Sequence, residues 1–185
     1  MIARVLQIIL PIPVFLFALA LNSAEPHPTP PVEYQVKAAF IDNFIKFIEW
    51  PAGALADSTI NISILGDTPL AEALKSIEDV QVKGRRLSIR TIKTLNDLGT
   101  SHIVFVASSE TNRVDEVLRA LKKRNVLTIG EVGGFCRKGG MINFTLDENK
   151  VRFEINADSA RDAGLMISSK LLKLATIVQT SQEGN

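Results

Sequence analysis

The sequence predicts a single-domain α/β sandwich, in which helices flank a mixed, partly parallel sheet and a β-hairpin and a helix follow at the C-terminus. Between residues 60 and 129, short apolar segments alternate with amphipathic segments, as in parallel sheets connected by crossover helices. Residues 103–106 are apolar without interruption, which favours a central strand covered on both faces. A length of 185 residues allows one domain of ordinary size, roughly 100 to 200 residues.

The first helix of this fold is predicted after residue 31 and ends before Trp50-Pro51, because a residue that precedes proline is pushed out of the helical region. Its apolar residues recur three or four positions apart, and Lys37, Asp42, Lys46 and Glu49 lie between them. The expected apolar face consists of Val36, Phe40, Phe44, Phe47 and Ile48.

The middle of the chain supplies the alternating elements. Turn and capping residues at 66–69 separate the first strand from the helix that follows it. The predicted strands are 60–64, 80–82, 87–92, 102–106 and 126–129. The first predicted helix has Pro69 in its first turn and carries Leu70, Ala73, Leu74 and Ile77. The second extends from about Asn112 to Lys123 and buries Val114, Val117, Leu118 and Leu121.

The last third is predicted to form a hairpin of strands 141–146 and 151–156 around a polar loop at 147–150. Asp158 is expected to cap a short helix that ends at Gly164, and Ser168 to cap a final helix that continues to Val178.

The first 24 residues have the layout of a secretory signal peptide, with a positive charge, an apolar run and small residues that favour cleavage after Ala20 or Ala24. An uncleaved membrane anchor is the alternative, but prolines interrupt the run. We therefore expect an exported, periplasmic protein. Residues 25–31 are a Pro-rich tether, residues 32–180 the domain, and residues 181–185 a disordered tail.

Composition excludes several classes of protein. With 46% hydrophobic residues the chain is not disordered, and with a net charge of +1 it has no broad cationic surface for nucleic acid. Cys136 is the only cysteine, so no intramolecular disulfide can form. We expect its thiol to be buried, as free cysteines usually are, although an exposed, reactive thiol is the alternative.

Catalytic and metal-binding signals are weak. His102 is the only histidine in the predicted domain, and a histidine beside an apolar strand is more often structural than catalytic. The glycines at 134 and 139 have the spacing of a phosphate-binding loop, but Gly140 stands where that loop has lysine. We interpret this segment as a flexible connection, in which Arg137 and Lys138 are either solvated or contact an anion.

Residues 36–51, VKAAFIDNFIKFIEWP, resemble the opening helix of the YfiR-like family of periplasmic proteins, whose hallmark is a run close to VKAAFLYNFAKFVEWP. Residues 139–144, 151–156 and 163–172 resemble the C-terminal signature of that family in the same order. Two features depart from the pattern: Asp42 stands where the family often has an aromatic residue, and the paired cysteines of the best-understood relative are absent.

The resemblance implies a non-enzymatic α/β protein without a cofactor. The best-understood relative is a homodimer that binds the periplasmic domain of an inner-membrane diguanylate cyclase and represses it, which lowers cyclic di-GMP and disfavours biofilm growth. An outer-membrane lipoprotein sequesters that repressor. The expectation for this chain is therefore a homodimeric signalling regulator that binds the periplasmic domain of an inner-membrane diguanylate cyclase or kinase.

A regulator of this kind needs a surface that binds one state of its partner better than another. The candidate partner-binding residues are Phe135, Arg137, Arg152, Glu154 and Asn156. The alternative is structural: Arg152 and Glu154 would pair with Lys170 or Ser169 on the final helix.

Two other functions stay open at this point. One is a periplasmic small-molecule sensor or binding protein serving a different membrane receptor, with the ligand beyond the strand ends at a topological switch point. The other is a hydrolase that uses His102 with a serine or an aspartate, although no complete triad can be named from the sequence.

Overall fold

The computed structural model describes residues 30–78 and 81–181. They form a seven-stranded sheet, in which every neighbouring pair of strands is parallel except one antiparallel hairpin, and a separate two-stranded sheet. The predicted α/β fold with a partly parallel sheet is confirmed. The predicted signal peptide, most of the tether and most of the tail lie outside the described residues.

The helices are α1 (Val32–Phe47), α2 (Leu70–Glu78), α3 (Val114–Leu121), α4 (Ala157–Asp162) and α5 (Ser169–Leu172). The strands are β1 (Ile48–Glu49), β2 (Thr59–Leu65), β3 (Arg86–Ile92), β4 (Ile103–Val106), β5 (Leu127–Gly130), β6 (Ile142–Asp147), β7 (Lys150–Ile155), β8 (Met166–Ile167) and β9 (Thr176–Ile177). The seven-stranded sheet has the order β3-β2-β4-β5-β6-β7-β9, its antiparallel hairpin is β6–β7, and β1 pairs with β8 in the two-stranded sheet.

In the parallel half of the sheet, β2 to β5, the strands β2, β4 and β5 are covered on both faces, as the uninterrupted apolar sequence of β4 predicts, whereas the edge strand β3 is partly exposed. Ile103 and Phe105 pack with α1 and α2, whereas Val104 and Val106 pack with α3. Alternate residues of a strand point to opposite faces, so the two helical layers lie on opposite sides. The chain moves outward from β2 to β3 and then returns to the other side of β2 as β4, which creates a topological switch point between β2 and β4.

The predicted apolar face of α1 is partly wrong. The buried residues are Lys37, Ala38, Ile41, Phe44 and Ile45. Val36 and Phe47 are instead more than a third exposed. Both faces of α1 carry large apolar residues, so periodicity alone assigned part of the buried face to the wrong side of the helix.

Two predicted elements of the parallel half differ in detail. The strand expected at 80–82 is reduced, in the described part, to an isolated bridge between Val82 and Arg85. The helix expected from Asn112 begins at Val114, because Ser108–Arg113 forms a 3₁₀ turn. The four predicted core residues of that helix are buried.

The hairpin is confirmed, with a turn shorter than the predicted four-residue loop. Asp147 pairs with Lys150, so only Glu148 and Asn149 connect β6 to β7. Both have positive φ, of 46° and 60°, as a two-residue turn that matches the strand twist requires.

The segment after the hairpin departs most from the prediction. Asn156, not Asp158, caps α4 by accepting a hydrogen bond from the Ser159 backbone N–H. Ser168 caps α5 as expected, but α5 ends at Leu172 instead of reaching Val178. The β-branched pair Thr176-Ile177 continues as β9, which pairs with the outer edge of β7 and satisfies backbone groups there.

Candidate functional site

The connection between β5 and β6, residues 131–140, runs beside the polar face of the hairpin, and we call it the glycine loop. It was expected to be flexible, yet contacts from β6, α3 and the C-terminal segment hold it. The Val132 N–H donates to the Asn143 side chain on β6 at 3.1 Å, and the Lys138 ammonium pairs with Asp115 on α3 at 3.0 Å. The Arg137 carbonyl accepts from the Ser181 N–H at 2.9 Å. The loop is therefore a fixed part of the surface.

Phe135 anchors this loop from inside. Its side chain is fully buried and packs with the apolar cluster of α3. A β-carbon on Gly130 would lie 2.7 Å from the Phe135 ring, and one on Gly140 would lie 2.2 Å from it. These two glycines leave the space that the ring occupies, so Phe135 cannot belong to a contact surface.

Asn156 is also fully buried, and its role is structural. In addition to capping α4, its side-chain amide donates to the Cys136 carbonyl and to the Thr180 hydroxyl, both at 2.9 Å. Asn156 thereby joins the glycine loop, α4 and the C-terminal segment, and it offers no accessible atom to a partner.

Cys136 is buried, as expected. Its thiol donates to the Glu154 carbonyl at a sulfur–oxygen distance of 3.7 Å. Burial, with the negative charge of Glu154, raises the pKa of the Cys136 thiol to about 12. The thiol is therefore protonated and unreactive at neutral pH.

A buried ion pair fixes the other end of the loop to α1. The Lys37 ammonium lies 2.7 Å from a Glu131 carboxylate oxygen and 2.5 Å from one of Glu33, and the Lys37 and Glu131 side chains are each 5% exposed. Burial alone would lower the pKa of Lys37, but hydrogen bonds and charge from the two carboxylates raise it. Lys37 thus stays charged and connects α1 to the end of β5.

Three of the five candidate residues remain accessible. Arg137 and Arg152 are exposed and Glu154 is half-buried. Arg152 and Glu154 lie two residues apart on β7 and share one face of the strand. The backbone carbonyl of Glu154 accepts the hydrogen bond from the thiol of Cys136, and Arg137 follows Cys136 in the chain. Among the described residues, neither the Arg152 nor the Glu154 side chain has a hydrogen-bond or ion-pair partner, so the alternative pairing with Lys170 or Ser169 is not formed.

His102 has a structural role. Its Nδ1 accepts a hydrogen bond from the Asn61 N–H at 2.9 Å, and its backbone joins β2 and β5. Burial, opposed by the charge of Asp57, lowers the pKa of His102. A nitrogen that accepts a backbone hydrogen bond within the fold is unavailable as a general base.

The switch point, where a ligand was one expectation, is filled by the chain itself. The Ser109 hydroxyl accepts from the Asp67 N–H at 2.9 Å, and a β-carbon on Gly66 would lie 2.4 Å from that hydroxyl oxygen. The 3₁₀ turn after β4 therefore closes the space between the ends of β2 and β4.

Sequence reasoning missed Lys37 and Glu131. The spacing held a signal, because Lys37, Ile41 and Phe44 are four and three residues apart and so share one helical face. A lysine in line with core residues needs a buried acidic partner. Glu131, directly after a buried strand, was the candidate for that partner.

A family model described as YfiR/HmsC-like matches residues 34–176, and the chain belongs to this family. Within 30–78 and 81–181, no helix has the length and apolar character needed to cross a membrane.

The fold is also similar to that of a conserved domain protein from Vibrio cholerae whose crystal structure has been solved. The TM-score is 0.50 at 12% sequence identity, and the match covers 78% of this chain and 59% of the other chain. This chain therefore spans about three fifths of that protein's length, and the similarity concerns the fold alone.

Proposed function

We propose that this protein is a periplasmic, non-enzymatic regulator that binds the periplasmic domain of an inner-membrane signalling protein. The partner is a diguanylate cyclase, which the protein represses and so lowers cyclic di-GMP. The observation that carries this proposal is the family match over residues 34–176.

The docking surface in this proposal consists of Arg137, Arg152 and Glu154. A regulator acts by binding one state of its partner more tightly, so its contact groups must be accessible and held in place. Arg152 and Glu154 are carried on a hairpin strand, and Arg137 follows a residue that is hydrogen-bonded to that strand. Within the described chain these side chains make no hydrogen bond or ion pair, so none has to be broken when another protein binds.

A homodimer and sequestration by an outer-membrane lipoprotein belong to the same proposal. Apolar exposure at the β9 edge supports self-association, since Leu174 is 72% and Ile177 54% exposed next to an edge strand. Light scattering on the purified protein tests this part, and we expect Leu174→Glu to reduce the measured mass from that of a dimer to that of a monomer. An unchanged mass would remove β9 from the interface.

The regulatory proposal is tested by deleting the gene, measuring cyclic di-GMP, and complementing with variants. We expect deletion to raise cyclic di-GMP, the wild-type protein to restore it, and Arg152→Glu to fail. Arg86→Glu is the matched control, because Arg86 is exposed on β3 at the opposite edge of the sheet.

Binding is measured in parallel, by capture of membrane proteins on the purified chain. We expect Arg152→Glu to weaken capture of the cyclase about tenfold or more, as reversal of a central interface charge does. Unchanged cyclic di-GMP after deletion, together with no cyclase among the captured proteins, would contradict the regulatory proposal. Equal loss in the Arg86→Glu control would contradict only the assigned surface.

A further inference from the structure

We infer that the groove between α3, the glycine loop and α4 binds a small amphipathic anion, an organic molecule with a phosphate or carboxylate head and a short apolar body. The groove has a volume of about 1060 Å³, which is the size of a site for a small organic ligand. It is distinct from the switch point, which Ser109 fills.

The groove lies where two different kinds of structure that cover this face of the sheet meet, a helix on one side and irregular segments on the other. The helix α3 covers β4 and β5, whereas the glycine loop and the C-terminal segment cover the hairpin. The gap between these two coverings is floored by side chains from the helix and the sheet. The apolar ones are Leu118, Leu121 and Met141, which are all at least nine-tenths buried. This floor suits an apolar body.

The lining of the groove carries an excess of positive charge. It includes the cationic residues Arg119, Lys122, Lys123, Arg137 and Lys138 and the acidic residues Asp115 and Asp162. Lys138 is neutralised by Asp115 at 3.0 Å. Among the described residues Lys122, Lys123 and Arg137 have no acidic partner, so an anionic head would supply the charge that these groups lack.

A buried hydroxyl adds a polar group to the floor. Thr128 on β5 is 2% exposed, and its Oγ1 accepts a hydrogen bond from the Met141 N–H at 3.0 Å. Within the described chain the hydroxyl proton has no acceptor, and Thr128 lines the groove. A buried donor without an acceptor is unfavourable, and an acceptor atom of a bound ligand would satisfy it.

The groove is also preformed. The Arg137 backbone is held by Ser181 at 2.9 Å, and Lys138 is held by α3. Ordering of these segments is therefore not required when a ligand binds, which favours affinity.

Octyl phosphate and octanoate are suitable probes, with octanol as a neutral probe that has the same apolar body. They are titrated calorimetrically into the purified full-length protein without any membrane partner, so the result is independent of the proposed function. We expect the anionic probes to bind and octanol not to bind. The relative affinity of the two anions shows whether the head is a phosphate or a carboxylate.

The variant Lys122→Gln/Arg137→Gln removes two unpaired charges of the groove. We expect it to weaken binding of the preferred anion about tenfold or more, because charge-assisted hydrogen bonds are lost. Lys93→Gln/Arg86→Gln is the control, since it removes the same charge from exposed positions on or directly after β3, and it should bind as the wild type does.

Three results would overturn the inference. If no heat of binding is measured at probe concentrations up to millimolar, the site is excluded. If octanol binds as tightly as the anions, the groove is an apolar surface without preference for an anion. Equal weakening in the control variant shows that net charge, not the groove, attracts the anion. Thermal melts of both variants verify folding, and Thr128→Val provides a further arm, expected to weaken binding with all cations retained.

Discussion

The two halves of the sheet are stabilised in different ways. The interior strands of the parallel half, β2, β4 and β5, are held by apolar side chains on both faces, such as Ile62, Val104 and Phe105, which are fully buried. The hairpin half, β6, β7 and β9, has one apolar face against α1. Its other face is covered by the glycine loop, and the contacts there include buried polar groups such as Asn143 and Asn156.

This difference bears on where the molecule can acquire function. Apolar packing tolerates exchange of residues when volume and pattern are kept. Buried polar contacts fix directions as well as distances, and a missing partner is unfavourable. The half that carries the candidate arginines, Arg137 and Arg152, is therefore the half whose geometry depends more on individual hydrogen bonds.

Phe105→Ala is expected to have the largest effect, because it tests the apolar half at its centre. Truncation of a fully buried phenylalanine removes its transfer free energy and leaves a cavity, so the free energy of unfolding should fall by about 3 to 5 kcal/mol in denaturant titrations. Phe47→Ala is the matched control, since Phe47 is 37% exposed. A loss as large at Phe47 would show that the two positions do not differ in packing as described.

Lys37→Met tests the ion pair that joins α1 to the glycine loop. Removal of the lysine leaves the Glu131 carboxylate buried without a counter-charge, and the free energy of unfolding should fall by about 3 kcal/mol. In Lys37→Met/Glu131→Gln the buried charge is absent, and we expect more than half of that loss to be recovered. A double variant no more stable than the single variant would assign the loss to packing instead of charge.

Asn156→Ala is expected to lower the free energy of unfolding by about 2 kcal/mol. It removes the cap of α4 and two hydrogen bonds to the Cys136 carbonyl and the Thr180 hydroxyl. Asn156→Ser retains a capping oxygen and should recover about 1 kcal/mol. Hydrogen exchange should show the glycine loop opening in the alanine variant, and unchanged protection there would contradict the linking role of Asn156.

The same contrast decides what could be predicted from the sequence. In the parallel half, strand periodicity and the apolar spacing of α3 predicted most elements and their core residues. In the hairpin half, periodicity predicted the strands but not what covers them. The final helix was extended through Leu174 and Val178 because an apolar segment fits a helix or a strand equally well. The segment forms the strand β9 because it pairs with the otherwise unpaired edge of β7, and that edge exists only in the folded sheet.

The candidate site follows the same rule. Arg137, Arg152 and Glu154 were placed on the surface by strand alternation and loop composition. Phe135 and Asn156 were misassigned, because their burial depends on Gly130, Gly140 and Thr180, which are brought together by tertiary structure. Local patterns carry no information on such contacts.

The smallest effect is expected at His102, a titratable residue directly before β4 in the parallel half, and it takes the form of a pH dependence. Burial lowers the pKa of His102 in the folded protein, whereas the unfolded chain has the ordinary value of about 6.5. As the pH falls through 6.5, the unfolded state therefore binds more protons than the folded state, and the free energy of unfolding decreases from pH 7 towards pH 5. Protonation of Nδ1 would also remove the acceptor for the Asn61 N–H.

His102→Ala should be less stable at pH 7 but should lose this part of the pH dependence. His27→Ala serves as the control, because the sequence predicts that His27 lies in the Pro-rich tether, and it should retain the wild-type slope. If the slope persists in His102→Ala, carboxylates produce it, and the parallel half contains no titrating contact of consequence.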